Sequence, residues 1–183
     1  MKNIFIVGIP RSGKSTLSKL IKEKYPEYNQ LSFEAIRNAF QETQPELDMG
    51  NRNSSARKSI LPKHIVTLAH WNNKMLSKPS LIEGDFCSIE ELNNLVTDED
   101  VVICLGLGCR KLDDIVTGIN NNDTNDDYTK EWTKDKIKNH FFDIEEKDKY
   151  NNDYCIKNNI TYYDTYENRK EIFKDIINNI DRY

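Results

Sequence analysis

The chain has 183 residues, enough for one domain with a sizeable core, and 37% of them are hydrophobic against 31% charged. Its net charge of -4 and isoelectric point near 5.5 make a nucleic-acid partner unlikely as an expectation, because such a surface needs a basic face. No stretch approaches the roughly 18 apolar residues of a membrane span, and Lys2 before Ile4 to Val7 is no secretory signal. Cys87, Cys104, Cys109 and Cys155 lack a C-x-x-C pair, so they read as reduced thiols of a cytoplasmic protein without a cysteine metal site.

Asn3 to Val7 is a near-continuous apolar run bounded by Gly8 and Pro10, the pattern of a strand buried on both faces. A helix from Ser15 to Lys24 follows, with Leu17, Leu20 and Ile21 at helical spacing, and Pro26 ends it. Tyr28 to Phe33 reads as a second strand and Glu34 to Gln41 as a helix. Gln44 to Arg57 is polar and reads as a loop, after which Pro62 is placed as an early helical residue, with the helix running to about Ser77. Ser80 to Asp85 is a third strand ending in acids, Ile89 to Val96 a short helix, and Val101 to Gly106 the clearest buried strand.

A helix from Arg110 to Ile119 precedes a polar run, Asn120 to Asp127, which must lie at the surface. Tyr128 to Asn158 reads as largely helical, Ile160 to Asp164 as a fifth strand, and Glu167 to Ile180 as an amphipathic closing helix. Strands alternating with helices imply a three-layer α/β/α sandwich with a five-stranded parallel sheet, in a single domain over residues 1–183.

The chemistry starts at Gly8-Ile-Pro-Arg-Ser-Gly13-Lys14-Ser15, which spells G-x-x-x-x-G-K-S directly after a strand and at the opening of a helix. Gly8 and Gly13 permit backbone angles that turn successive N–H groups onto an anion, and the helix adds its positive end. Lys14 can reach the β and γ phosphates, and Ser15 can place its hydroxyl on Mg²⁺. Arg11, Ser12 and Thr16 line the same loop.

Acids at the carboxyl ends of two further strands complete the pattern. In Leu81-Ile-Glu83-Gly-Asp85, Glu83 is a candidate second anchor for the metal, and Asp85 stands beside it. In Ser32-Phe-Glu34-Ala-Ile-Arg37, the carboxylate could accept a proton from an acceptor hydroxyl while the guanidinium clamps a charged group. A plain helix start, with Ser32 as cap and Glu34 in the first turn, explains the same residues equally well.

Together these pieces resemble the adenylate-kinase-like group of small P-loop kinases, which includes nucleotide, shikimate and gluconate kinases and antibiotic- or toxin-type phosphotransferases. The resemblance runs in order through GIPRSGKST, SFEAIR, LIEGD, VVICLGLG, a polar lid and ITYYDTYENR. It implies ATP and Mg²⁺ as cofactors and a helical lid at about 120–138. It also implies an acceptor-covering region at about 34–78, with Glu34 and Arg37 touching the acceptor. Glu83 takes the place of the group's acid before glycine, and Asp164-Thr165 that of a loop beside the adenine.

The departures matter as well. No arginine lies between Lys111 and Asn168, where nucleoside monophosphate kinases carry several; Lys130, Lys134, Lys136 and Lys138 stand near Trp132 instead. Arg52, Arg57, Lys58 and Lys63 form a loose basic cluster that reads as surface. Asn73-Lys74 continues as Met-Leu inside a helix, so the guanine-reading N-K-x-D is absent. The expectation is phosphoryl transfer from ATP to a small hydroxyl- or phosphate-bearing acceptor. Alternatives are a nucleotide-binding module or regulatory NTPase, a nucleoside monophosphate kinase, and a polynucleotide or toxin-type kinase.

Overall fold

Alternation within one strand decides the layers of this protein. In β1 (Asn3–Gly8), Ile4 and Ile6 point to one side of the sheet and Phe5 and Val7 to the other, and all four are buried. The structure is a computed structural model and describes residues 1–51, 53–122 and 129–180. Four more strands, β2 (Asn29–Ser32), β3 (Ser80–Glu83), β4 (Asp100–Gly106) and β5 (Tyr162–Asp164), complete an all-parallel sheet in the order β2-β3-β1-β4-β5.

β1 therefore lies between β3 and β4, with Ile6 in register with Glu83 on one edge and Ile103 on the other. Successive crossovers leave this centre in opposite directions, which opens a crevice at the carboxyl end of β1, where open parallel sheets take their ligands.

On one face, Ile4, Ile6, Leu81, Ile103 and Leu105 pack against Leu17 and Ile21 of α1 (Lys14–Lys24) and Phe173 and Ile176 of α8 (Arg169–Asn179). On the other, Phe5, Val7, Ile82 and Cys104 meet Leu61 and Ile65 of α3 (Ser55–Leu76), Ile89 and Leu92 of α4 (Ile89–Asn93) and Cys155 of α7 (Ile144–Lys157). α2 (Phe33–Thr43) enters this second layer through Phe33. A third cluster gathers Ile9 and Leu107 with Ile115, Val116 and Ile119 of α5 (Leu112–Asn122) and Ile137 of α6 (Lys134–His140). No helix among the described residues is long and apolar enough to cross a membrane.

The expected sandwich is present, with differences at element ends. α3 begins at Ser55, where the Ser54 hydroxyl accepts from Arg57 N at 3.3 Å, so Pro62 sits in the helix interior rather than near its start. Burial of Leu61, Ile65, Val66 and Ala69 carries the helix through it despite the missing donor. The loop expected over Gln44 to Arg57 holds a short 3-10 turn, Pro45–Leu47, and the first turn of α3. The long helix expected from Tyr128 breaks into α6 and α7 because Thr133 caps one start and Asp143 stands at the other. Part of the expected lid, residues 123–128, lies outside the described residues. Its later portion packs on α5 through Trp132 and Ile137.

At the amino end of the sheet, the buried Asn3 side chain links two neighbouring strands. Its Oδ1 accepts from Ser80 N at 2.9 Å, and its Nδ2 donates to Asp100 Oδ1 at 2.9 Å. Asn3→Ala would leave the Ser80 N–H buried without that acceptor, which costs about 1–3 kcal/mol. Urea unfolding should show a loss of that order, and an unchanged midpoint would mean the link carries no stability.

Candidate active site

The loop between β1 and α1 is held in a conformation that few sequences allow. Gly8 has φ +132°, and a Cβ there would lie 1.9 Å from the Leu105 carbonyl oxygen. Gly13 has φ +88°, and a Cβ would lie 2.7 Å from the Phe173 ring. Arg11, between them, also has positive φ, at 67°.

The segment after β5 braces this loop from behind. Arg169 donates through Nη2 to Arg11 O at 3.0 Å and through Nε to Thr165 O at 3.1 Å. The buried Thr165 hydroxyl lies 2.8 Å from Ser12 O and 2.9 Å from Gly106 O, sharing its proton between them. In a trans peptide the following N–H points opposite to the carbonyl. The N–H groups of Ser12 and Gly13 therefore face away from these braces, toward the side where an anion would sit. Ser12 itself is buried and donates its hydroxyl to Ile9 O at 2.9 Å, so its side chain shapes the loop from within.

Lys14 is half-buried, and its Nζ donates to Gly8 O at 3.0 Å and Ile9 O at 2.7 Å, which lays the ammonium along the loop. Ser15 and Glu83 come together because β3 ends beside β1 while α1 turns back over the crevice. The Ser15 hydroxyl donates to Glu83 Oε1 at 3.1 Å. Burial pushes the Glu83 carboxyl above its ordinary range; the Ser15 hydroxyl and the Lys14 charge pull it down, and Glu34 pushes it up again. Thr16 is exposed and lines a groove of about 560 Å³ between α1 and α8 with Leu20 and Phe173.

Magnesium favours hard oxygen donors and usually takes one or two from protein, leaving the rest to phosphate and water. The Ser15 hydroxyl and Glu83 carboxylate fit that pattern. Among the described residues no group of three or more His, Cys, Asp or Glu forms a protein-only cage.

On the β2–β3 side, Glu34 is exposed in the first turn of α2, close enough to Glu83 to act on its charge. Ser32 does cap α2, accepting from Ala35 N at 3.2 Å. Arg37 donates from Nε and Nη2 to Asn38 Oδ1 at 3.3 and 3.0 Å, with its guanidinium 6.0 Å from the Phe33 ring centre. Asp85 is exposed just past β3. Gly84, φ +146°, is covered by the Phe33 ring, which seats α2 against the strand end.

Arg57 is not a surface residue as its sequence neighbourhood suggested. It is 6% exposed, and its guanidinium reaches Gly50 O at 3.3 Å and Asp85 O at 3.5 Å. Lys58 and Lys63 are exposed, and Arg52 lies outside the described residues.

The β4–β5 side holds residues that sequence reading did not single out. These are Arg169, Asp148 of α7 and Tyr162 of β5, beside Thr165 of the turn that the sequence did mark. Asp148 accepts from Leu107 N and Cys109 N at 3.0 and 2.9 Å and from the Tyr162 hydroxyl at 2.8 Å. An acid in register with Ile144 and Cys155 on the buried face of α7 was the available signal.

Asp164 is exposed and accepts from Tyr166 N at 3.0 Å, closing its own turn beside Gly108. Two of the expected lid lysines have local partners: Lys138 pairs with Asp113 of α5, and Lys136 lies 4.2 Å from the Trp132 ring centre.

No family model matches the chain, and no curated protein matches it. Among solved structures, a shikimate kinase from Bacteroides thetaiotaomicron is similar over 99% of this chain and 97% of its own, at 14% identity and a TM-score of 0.49. A protein from Chloroflexus aurantiacus described as a "putative kinase" is similar over 63% of this chain and 64% of its own, at 20% identity and a TM-score of 0.39. What this chain presents by its own geometry is a parallel α/β fold of the phosphate-loop type, with the loop between the central strand and the first helix.

Proposed function

We propose that the protein is a phosphotransferase that moves the γ-phosphate of ATP to a small acceptor bearing a hydroxyl or phosphate group. The observation that carries this reading is the hydrogen bond of Ser15 to Glu83 beside Lys14, at the mouth of a G-x-x-x-x-G-K-S loop, with Glu34 in the same cleft.

In this reading Gly8 to Ser15 bind the β and γ phosphates through backbone N–H groups and the start of α1. Lys14 exchanges its loop carbonyls for phosphate oxygens and balances the charge of the transferring group. Ser15 and Glu83 would hold Mg²⁺, which supplies charge neutralisation for the phosphate oxygens. Glu34 or Asp85 orients the acceptor hydroxyl and takes its proton, and Arg37 turns from Asn38 toward a charged acceptor. Closure of residues 129–138, the described part of the expected lid beyond α5, would exclude water and limit hydrolysis.

Lys14→Ala should lower ATP turnover by about 100-fold or more, as expected for loss of a group facing transition-state charge. Labelled ATP offered with pooled nucleosides, nucleotides, sugars and aminoglycosides should yield a phosphorylated product. Turnover that no acceptor raises above its basal rate would point to an NTPase or binding module instead.

Glu83→Gln gives an independent test. Because burial raises the carboxyl's pKa in the folded chain, the stability it contributes is present at low pH and lost as pH rises through the raised value. Once ionised above that raised value, the buried carboxylate is a burden on the ligand-free fold. The variant should melt at a higher temperature than wild type at pH 8 while losing Mg²⁺-dependent turnover. A lower Tm would show that the Ser15 contact outweighs burial.

A further inference from the structure

The three successive N–H groups after β4 are gathered by one buried acid. Asp148, 0% exposed, takes Leu107 N and Cys109 N on Oδ2. Its Oδ1 accepts from the Tyr162 hydroxyl, which in turn accepts from Gly108 N at 3.0 Å. Gly108 and Cys109 both have left-handed φ, +66° and +54°. A residue with a side chain rarely holds that conformation unless its surroundings impose it. Here the carboxylate does so, playing the part that an external anion plays in other converging-amide turns.

The turn so fixed sets the course of the next residue. Arg110 leaves it to lie 5.0 Å from the Tyr166 ring centre and to pair with Glu167 Oε1 at 3.0 Å. Asp164 lies against Gly108 in the same turn. Residues 106–110 and 164–167 thus form one wall on the β4–β5 flank of the phosphate loop. Glu83 and Ser15 mark the opposite, β3 flank. A nucleotide held by its terminal phosphate at Ser15 and Glu83 would have this wall on the other flank of the loop for its remaining part.

We infer that Asp148 is a positioning residue for the nucleoside end of the substrate, acting through the backbone of residues 107–109 rather than by contact. The inference rests on the phosphotransferase reading. It separates two parts of nucleotide binding, since the triphosphate is gripped by Gly8 to Ser15 and only the nucleoside depends on the wall that Asp148 shapes.

The test compares Mg²⁺-ATP with Mg²⁺-tripolyphosphate by titration calorimetry on the full chain. Asp148→Asn replaces an acceptor oxygen with an amide donor that confronts N–H groups. It should weaken ATP binding about tenfold and leave tripolyphosphate within about twofold of wild type. Tyr162→Phe removes only the hydroxyl that relays Gly108 N, and should weaken ATP alone by about threefold. It also keeps the question decidable should Asp148→Asn fail to fold. Equal losses for both ligands, or folded variants with unchanged affinity for both, overturn the role of Asp148. Wild-type protein that binds tripolyphosphate but shows no added affinity for ATP overturns it too. Wild-type protein that binds neither ligand overturns the phosphate-loop reading itself.

Discussion

A loop with left-handed backbone at Arg11 and Gly13 does not hold itself. Strained positions of that kind cost on the order of 1–3 kcal/mol each where a side chain is present, and persist only when their surroundings over-determine them. In this chain the surroundings come from far along the sequence: Arg169 on Arg11 O, Thr165 on Ser12 O, and Phe173 against Gly13. The carboxyl end of the sheet depends on that bracing. It turns the loop's amides outward, and it fastens the segment between β5 and α8 to the end of β4 at the same point through Gly106.

The two flanks of the loop are built on opposite electrostatic principles. On the β3 side Glu83 is buried enough to make its charge costly, with one hydroxyl and one nearby ammonium as partial compensation. Such a carboxylate gains by meeting a cation. On the β4–β5 side Asp148 is likewise raised by burial, but two backbone amides and the Tyr162 hydroxyl already satisfy it. One acid is met by a hydroxyl, and the other by the protein's own backbone. The difference lies in the partners each was given: Glu83 ends β3, while Asp148 reaches from α7 to the turn after β4.

Much of the fold was legible in the order of residues because burial on both faces leaves an unbroken apolar run. Asn3 to Val7 and Val101 to Gly106 could hardly be anything but inner strands, and they pair with each other. Element ends were less legible. Pro62 suggested a helix start, yet the cap at Ser54 and the apolar series from Leu61 to Ala69 outweigh one missing donor. Arg57 looked like surface because arginine usually is. Its burial follows from carbonyls at Gly50 and Asp85 that only the folded chain brings together.

The sequence by itself determined where the loop forms, since G-x-x-x-x-G-K-S encodes local backbone freedom and a helix start, while the braces on Arg11, Ser12 and Gly13 come from Arg169, Thr165 and Phe173. It also determined that acids stand at the ends of β2 and β3, because strand ends are local. Tertiary structure alone decided which acid faces what. Glu83 meets Ser15, 68 residues away in the chain. Asp148 is folded into the turn after β4, 39 to 41 residues before it in the chain. These pairings depend on strand order, and order in a parallel sheet is fixed by how helices pack across its faces, which no short stretch of residues contains.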